Sequence, residues 1–249
     1  MSINSEKDLE ALRKIGRIVA RCLQLMQSKL EPGMTTAELD AIGGEFLAAH
    51  GARSAPILTY NFPGHTCISV NEEAAHGIPG AKILKAGDLV NIDVSAELGG
   101  YFADTGGSAI IPPESKIHLQ VCAAAKRALE RALLEARAGA RLNRIGHAIE
   151  SEAKANGFTV IENLGSHGVG RALHEEPGFI PGFFDKRDKR VLKENQVITI
   201  EPFISTGARH VYDNGDGWTL ITDPGVFTAQ YEHTLVITKD KPLIMTLPA

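Results

Sequence analysis

Two stretches of the chain repeat one strand-like pattern, and each of them ends in a carboxylate. Residues 84–93 end in Asp93 and residues 192–201 end in Glu201, so the two acids are 108 positions apart. Near these ends apolar residues alternate with polar ones, which is the pattern of a strand with one buried and one polar face. A duplicated strand that twice carries an acid on its polar face predicts a metal site between two related halves.

Other parts of the chain repeat in the same order. Residues 33–51 form a helical pattern bounded by glycines, and residues 139–157 repeat it at an offset of 106 positions. A His-x-x-Pro-Gly motif occupies residues 76–80 and recurs at residues 174–178, at an offset of 98 positions. The ordinary alternative is that helices and strands of one fold class look alike, but three matches in order favour a duplication.

The duplication predicts the domain organisation. Two repeats of about a hundred residues are too long and too few for a solenoid. We therefore expect one pseudo-twofold domain over residues 1–249, built of two related halves at about 1–112 and 113–249.

Helical and strand-like patterns alternate in a similar order in both halves. Helical patterns cover residues 5–30, 35–51, 114–136 and 143–156. Strand-like runs lie at residues 57–60, 67–70, 89–96, 101–111, 159–161, 196–204, 218–221 and 230–238. This order predicts an α+β fold in which helices cover one side of a mainly antiparallel, curved sheet.

Composition excludes several classes of function. The net charge of −4 gives no electrostatic footprint for nucleic acid. No apolar stretch approaches the ~20 residues that a membrane span requires, and residues 1–14 contain no apolar signal-peptide core. The cysteines Cys22, Cys67 and Cys122 show no metal or disulfide spacing. We therefore expect a cytoplasmic protein with no membrane and no nucleic-acid partner.

Acids and histidines cluster near the predicted strands. Asp93 and Asp104 lie on either side of a glycine pair, and if the strands form a hairpin, both carboxylates face one space. Crowded carboxylates raise one another's pKa unless a cation lies among them. Four acids and an imidazole, without thiolate, suit two divalent ions of manganese, iron, cobalt or zinc. The candidates are His76, Asp93, Asp104, His167, His174, Glu201, Glu232 and His233.

Each candidate also has an ordinary structural interpretation. A single strand aspartate is more often a surface or salt-bridge residue, and a histidine in an apolar segment is usually a hydrogen-bonded core residue. Glu232 and His233 are stronger candidates, because two adjacent ionisable groups on a buried strand are costly without a function. The joint pattern favours the metal-site interpretation.

The chain resembles the type I methionine aminopeptidases in their short bacterial form. The matching segments follow the family's order, at residues 67–79, 90–94, 103–105, 167–177, 199–202 and 229–234. The resemblance implies the pseudo-twofold pita-bread fold and a single catalytic domain. It also implies an enzyme that removes N-terminal methionine from nascent proteins and peptides, preferring a small second residue.

The resemblance implies a role for each residue of the metal site. Two divalent ions, of cobalt, manganese, iron or zinc, would be held by Asp93, Asp104, His167, Glu201 and Glu232. Asp104 and Glu232 would bridge the ions, Asp93 would complete one site, and His167 with Glu201 would complete the other. A metal-bridging hydroxide would attack the scissile carbonyl, since coordination lowers the pKa of water from ~15.7 towards 7. Glu201 would also carry the proton.

The resemblance implies a substrate site as well. His174 would polarise the scissile carbonyl, and His76 would position the substrate near its scissile amide and assist in that step. Phe62, Cys67 and Trp218 would line the methionine pocket, and the free amine of the substrate would bind a metal.

Two positions depart from the family pattern, and some properties rest on the resemblance alone. The family usually has glycine where this chain has Ser166, and often an aromatic residue where it has Leu173. Both differences bear on pocket shape and on tolerance for the second substrate residue. Partners would be the N-terminal segments of nascent proteins; contact with the ribosome fits that role, although no sequence feature shows it. We expect a monomer.

Two other functions compete with this one. X-Pro aminopeptidases and prolidases share the fold and the five ligands, but they usually carry an additional N-terminal domain, whereas this chain begins directly with the catalytic unit. Chain length and the His76-Gly-Ile-Pro segment favour methionine removal. A non-catalytic binding relative would have lost ligands and gained basic patches, whereas here all five positions are filled and the net charge is negative.

Overall fold

The long helices begin at capping residues that can be recognised in the sequence. The computed structural model describes residues 1–248 and contains helices α1 (Glu6–Ser28), α2 (Thr36–Ala49), α3 (Ala55–Tyr60), α4 (Lys116–Glu135) and α5 (Asn143–Ala155). Ser5, Thr35 and Ser115 precede α1, α2 and α4, and each side chain accepts a hydrogen bond from the N–H three positions later. These caps confirm the predicted starts of the three helices to within about two residues.

Most strands are short, and one hairpin is long. The strands are β1 (Arg53–Ser54), β2 (Cys67–Val70), β3 (Glu73–Ala75), β4 (Leu89–Leu98), β5 (Tyr101–Ile110), β6 (Thr159–Val160), β7 (Gly165–Gly168), β8 (Glu175–Pro181), β9 (Val197–Ile200), β10 (Phe203–Ser205), β11 (Tyr212–Asp213), β12 (Leu220–Ile221), β13 (Thr228–Gln230), β14 (His233–Val236) and β15 (Leu243–Ile244). Every pairing between them is antiparallel. The predicted mainly antiparallel sheet is therefore confirmed.

The hairpin of β4 and β5 is the framework of the first half. The two strands stay in register along their whole length of ten residues each. Gly99 and Gly100 turn the chain with φ of 61° and 84°, a left-handed conformation that glycine adopts without strain. β1 and β2 pair with the other edge of β4, which completes a four-stranded sheet.

The second half contributes a five-stranded sheet in the order β15-β14-β9-β7-β8. Side chains attach this sheet to the hairpin. The Asp104 N–H donates to Thr234 Oγ1 at 2.9 Å, and the Thr234 hydroxyl donates to the Asp104 carbonyl at 2.7 Å. The strand that carries Asp104 is thereby joined to β14.

Two large hydrophobic clusters lie between the helices and the sheets. One contains residues of α1 together with Val90 and Ile92 of β4. The other contains residues of α4 and α5 together with Ile198 and Ile200 of β9. The apolar positions of the repeated strand are thus buried in both halves, as their alternation indicates. The boundary between halves at about residue 112 stays a prediction.

The predicted strand at residues 57–60 is wrong, because these residues form the end of α3. Ser54 caps this helix by accepting a hydrogen bond from the Ile57 N–H. Pro56 lies in the first turn, where its missing N–H costs no hydrogen bond. Asn61 ends the helix in the left-handed conformation, at φ 57°. Over a segment this short, the cap and the proline outweigh the strand preference of the side chains.

Two strands predicted to be continuous are interrupted at acids. Residues 196–204 form β9 and β10 with a break at Glu201-Pro202, and residues 230–238 contain a break before β14 at Glu232. Proline cannot donate a hydrogen bond to a neighbouring strand, which accounts for the first break. Both acids therefore lie just outside regular strands.

The structure bears on two cysteines and on the expectation of no membrane span. Cys22 and Cys122 are buried, as expected for small core residues. Within residues 1–248, no helix has both the length and the apolar character needed to cross a membrane.

Asp40 of α2 ties the segment before β2 to the helix. Its buried carboxylate accepts hydrogen bonds from the His65 N–H at 2.9 Å, the Thr66 N–H at 2.8 Å and the Thr66 hydroxyl at 2.7 Å. The three bonds fix the course of the chain into β2.

We expect Asp40→Asn to lower the free energy of unfolding by about 1–3 kcal/mol, because the new amide N–H₂ would face a donor and leave it without an acceptor. Thermal unfolding would measure the change. Glu45→Gln, at an exposed position on the same helix, is the control and should keep the wild-type Tm. An unchanged Tm for Asp40→Asn would contradict the role of these bonds.

Candidate metal centre

Five ionisable side chains from both sheets lie close together, and all of them except Glu232 line one pocket. Asp93 and Asp104 come from the hairpin, His167 from β7, and Glu201 and Glu232 from the breaks beside β9 and β14. Asp93 and Glu232, which are 139 positions apart in the chain, are thereby brought together.

The register of the hairpin places its two acids on one face. Asp93 pairs with Gly106 across the strands, and Asp104 is two residues from Gly106. Because side chains alternate along a strand, Asp93 and Asp104 project from the same side. Each carboxyl affects the pKa of the other, so the two groups lie close together. The hairpin predicted from the glycine pair is confirmed.

The backbone of Glu232 is held by the hairpin. Its N–H donates to the Gly106 carbonyl at 2.9 Å, and the Thr105 hydroxyl donates to its carbonyl at 2.9 Å. Gln230 Nε2 donates to Glu232 Oε2 at 3.1 Å. Glu232 is therefore fixed at both its backbone and its carboxylate.

Glu201 is held by residues of β7 and β9. Its N–H donates to Ser166 Oγ at 2.9 Å, and Thr199 Oγ1 donates to Glu201 Oε1 at 3.1 Å. Ser166 is one of the two positions that depart from the family pattern, and its buried hydroxyl provides a contact that glycine could not.

His167 presents one nitrogen to the acids. Its Nδ1 lies 2.9 Å from the Gly168 carbonyl, to which only an N–H can donate. This contact leaves a lone pair on Nε2. Nε2 lies 3.4 Å from Glu201 Oε1 and 3.8 Å from Asp104 Oδ2. The imidazole is thus oriented as a metal ligand through Nε2.

Burial shifts the pKa of every member of the group. It raises the pKa of Asp93 to about 6, although the neighbouring Asp104 carboxyl opposes the shift. Burial first, and neighbouring carboxylates second, raise the pKa values of Asp104, Glu201 and Glu232 well above the ordinary range. Burial lowers the pKa of His167 to about 3, so its ring is neutral. A divalent cation among the acids would allow all of them to ionise.

The donor set fits a divalent metal. Within the part of the chain that the structure describes, Asp104 Oδ1 and Glu232 Oε1 are buried and have no hydrogen-bond partner. One donor atom each of Asp104, His167 and Glu232 lies within 4.8 Å of the others. Unpartnered buried oxygens are costly, and oxygen with imidazole nitrogen is a donor set for divalent transition metals.

A cavity of about 400 Å³ opens above these donors. Its walls include the three residues predicted for a methionine pocket, Phe62, Cys67 and Trp218. The Phe62 and Trp218 rings meet edge to face with centroids 5.2 Å apart. Cys67 pairs with Asp93 across β2 and β4, so the apolar wall adjoins the acids. Burial raises the pKa of Cys67 well above its ordinary value, which keeps the thiol protonated.

Two of the three remaining candidate histidines, His76 and His174, also line this cavity. The His174 ring lies over the His167 ring, with centroids 4.0 Å apart. His76 has a left-handed backbone, with φ of 55°, which is uncommon outside glycine and typical of functional positions. Burial lowers the pKa of both His76 and His174, which favours the neutral form of each ring.

One candidate lies elsewhere, and several lining residues were not predicted. His233 contacts Thr246 Oγ1 at 2.9 Å and does not line the cavity. The unpredicted lining residues include Tyr60, Phe179 and Phe203. Phe179 directly follows the second His-x-x-Pro-Gly motif and Phe203 follows Glu201-Pro202, so those motifs are the signal that could have found them. Tyr60 carries no such signal.

Buried acids and a neutral imidazole beneath an apolar cleft are the features of a metal-dependent enzyme. The profile of metallopeptidase family M24 matches residues 10–239. Methionine aminopeptidase 2 of Bacillus subtilis (strain 168) is 52% identical over 248 residues, which cover 99% of both chains. The chain belongs to metallopeptidase family M24.

Solved structures show the same fold. A methionine aminopeptidase from Rickettsia prowazekii superposes with a TM-score of 0.94 at 34% identity and covers 99% of this chain and 100% of that one. A prolidase from Pyrococcus furiosus matches with a TM-score of 0.80 at 23% identity, covering 98% of this chain and 65% of that one, which shows a shared fold alone. The predicted pita-bread fold is confirmed.

We expect Asp104→Asn to weaken divalent-metal binding at least ~10-fold while leaving the fold intact, because an amide supplies one neutral oxygen in place of a carboxylate. Metal content after dialysis and circular dichroism would measure the two effects. Asp223→Asn, at an exposed acid outside the cavity, is the control and should keep wild-type metal content. Full metal content in Asp104→Asn would exclude Asp104 as a ligand.

Proposed function

We propose that this protein is a methionine aminopeptidase, a dinuclear-metal hydrolase that removes N-terminal methionine from proteins and peptides. The observation that carries the proposal is the position of the apolar wall next to the five-donor centre. A side chain held against Phe62 and Trp218 would bring the peptide bond that follows it close to the acids. The name and full-length similarity of the Bacillus subtilis relative support the same activity.

We propose two metal ions in the centre. Asp104 and Glu232 would bridge them, since each has one carboxylate oxygen without a partner in the described residues. Asp93 would complete one site, and His167 with Glu201 would complete the other. Bound divalent ions of manganese, iron, cobalt or zinc supply Lewis-acid activation of water and of the scissile carbonyl.

The protein's own residues would hold the substrate and move the proton. His174 would donate a hydrogen bond to the scissile carbonyl oxygen and stabilise the charge that develops there. His76 would position the scissile amide. Glu201 would take the proton of the attacking water and deliver it to the leaving amine. Because Glu201 is fixed through Ser166 and Thr199, it would keep its place in both steps.

Specificity would follow from the shape of the cavity. The unbranched thioether of methionine suits an apolar slot of Phe62, Cys67 and Trp218. An apolar slot distinguishes two side chains that differ by one methylene by only ~1–3 kcal/mol. Its walls must therefore also exclude larger side chains sterically. Leu173 and Phe179 line the same cavity as His174, and we propose that they restrict the second residue to small side chains.

The substrates would be the N-terminal segments of nascent proteins. The protein would act in the cytoplasm, and it would act as a monomer. The prolidase of similar fold makes X-Pro cleavage the competing activity. The two activities differ in the residue that follows the cleaved peptide bond, which is proline in X-Pro cleavage.

The test is release of the first residue from Met-Ala-Ser and from Ala-Pro-Ser. The protein would be stripped with chelator and assayed before and after addition of manganese, cobalt, iron or zinc. We expect methionine release from the first peptide alone, only after metal is restored, and the rates would rank the metals.

Cleavage of Ala-Pro-Ser alone would reassign the protein to X-Pro hydrolysis. No cleavage of either peptide, with metal bound, would contradict a catalytic function. His174→Gln is the matched variant, because it removes a proposed substrate contact and keeps all five donors. It should bind metal normally and lose ~10²–10⁴-fold in kcat.

A further inference from the structure

Tyr60 reaches across the mouth of the cavity to His174. Its hydroxyl lies 2.7 Å from His174 Nδ1, and the two rings are 5.7 Å apart between centroids. We propose that Tyr60 is a positioning residue that fixes the orientation and tautomer of His174, an inference that rests on the proposed function. Tyr60 itself need not touch the reacting atoms.

His174 has little else to hold its ring. The residue is exposed, and within residues 1–248 the Tyr60 hydroxyl is the one hydrogen-bond partner of its imidazole. On its other side the ring lies against His167 at an angle of 40°. A stacking contact limits tilting but leaves rotation within the ring plane free. The Tyr60 hydroxyl supplies the missing constraint.

The hydrogen bond also selects where the imidazole proton lies. A phenol hydroxyl can donate or accept. We assign it as the donor and Nδ1 as the acceptor, because a phenol is a better donor than acceptor and a neutral imidazole nitrogen is a good acceptor. In a neutral imidazole the other nitrogen, Nε2, then carries the N–H. Nε2 is therefore the donor available to a carbonyl oxygen in the cavity. The opposite tautomer would present a lone pair to that oxygen and repel it.

The fold keeps Tyr60 in place although its side chain is 44% exposed. Before α3, β1 pairs with β4. After α3, Asn61 turns the chain in a left-handed conformation, and its N–H donates to the Ile57 carbonyl. Phe62, which is 4% exposed, packs against Trp218 and anchors the end of the segment. Tyr60 thus stands between two anchors, with its hydroxyl directed at His174.

The exposed apolar surface of α3 is explained by the same arrangement. Ile57 and Leu58 are 39% and 44% exposed, so burial of α3 does not account for the position of the segment. Its buried residues are Ala55 and Pro56 at the start, and Phe62 just beyond the end. The segment is held by its two ends and presents Tyr60 from between them.

The test compares Tyr60→Phe with Tyr212→Phe, an exposed tyrosine that does not line the cavity. With Met-Ala-Ser and restored metal, we expect Tyr60→Phe to lower kcat ~10-fold with KM changed less than ~2-fold, because a displaced proton donor affects the chemical step more than binding. Tyr212→Phe should behave as wild type. An unchanged kcat in Tyr60→Phe would overturn the proposal.

A double-mutant cycle decides whether Tyr60 acts through His174. In a His174→Gln background, Tyr60→Phe should cause no further loss of kcat. An independent ~10-fold loss in that background would assign Tyr60 a separate role and overturn the proposal.

A spectroscopic measurement separates this inference from the proposed function. Ring-¹⁵N histidine spectra of metal-free protein would report the tautomer of His174, whose signals are identified by their absence in His174→Gln. We expect the Nε2–H tautomer in wild type and a mixture in Tyr60→Phe. The same tautomer in both proteins would overturn the proposal, even if the enzyme is active. If the wild-type protein releases no methionine, the proposed function is contradicted. The spectrum would still test whether the Tyr60 hydroxyl sets the tautomer of His174.

Discussion

The structure of the site depends on four crowded carboxylates around one neutral imidazole. Asp104, Glu201 and Glu232 are buried, and Asp93 is half-buried. Burial alone raises the free energy of each ionised acid, and the proximity of the others adds to it. Such a group is stable only with protons or with cations among its oxygens. The unpartnered oxygens of Asp104 and Glu232 are the atoms that a cation would satisfy. The surrounding sheets therefore have to hold the acids close together despite their repulsion.

Hydrogen bonds from both halves supply that restraint. Asn91 Nδ2 donates to Gln230 Oε1 at 2.9 Å, and Gln230 in turn donates to Glu232. Gly106 leaves room for this pair, because a Cβ at that position would lie 2.4 Å from Gln230 Oε1 and would displace the Gln230 amide. The network runs from β4 through β13 to Glu232 beside β14. The geometry of the centre therefore depends on how the two halves pack together. At the mouth of the cavity, a hydrogen bond from Tyr60 holds His174 in place in the same way.

The sequence predicted the features that depend on local chemistry. The glycine pair at 99–100 indicated the hairpin, and the register of that hairpin made the shared face of Asp93 and Asp104 a consequence of strand geometry. The prediction from sequence was wrong at α3, where a serine cap and Pro56 decided the conformation of a segment with strand-like composition. The prediction also missed the breaks at Glu201 and Glu232. Pro202 marks the first break in the sequence, but the second has no such residue and depends on pairing with another segment, through the Glu232 N–H and the Gly106 carbonyl.

The sequence by itself determined the fold class, the duplicated strand and eight candidate side chains, because alternation, turn residues and motif order are properties of neighbouring positions. The resemblance to a known family reduced these candidates to five proposed ligands. Only the tertiary structure decided which atoms meet. The position of Glu201 depends on the Ser166 hydroxyl, 35 positions earlier in the chain, and the orientation of His174 depends on Tyr60, 114 positions earlier. These contacts join residues whose spacing in sequence carries no information about distance, so only the packed sheets could bring them to hydrogen-bonding range.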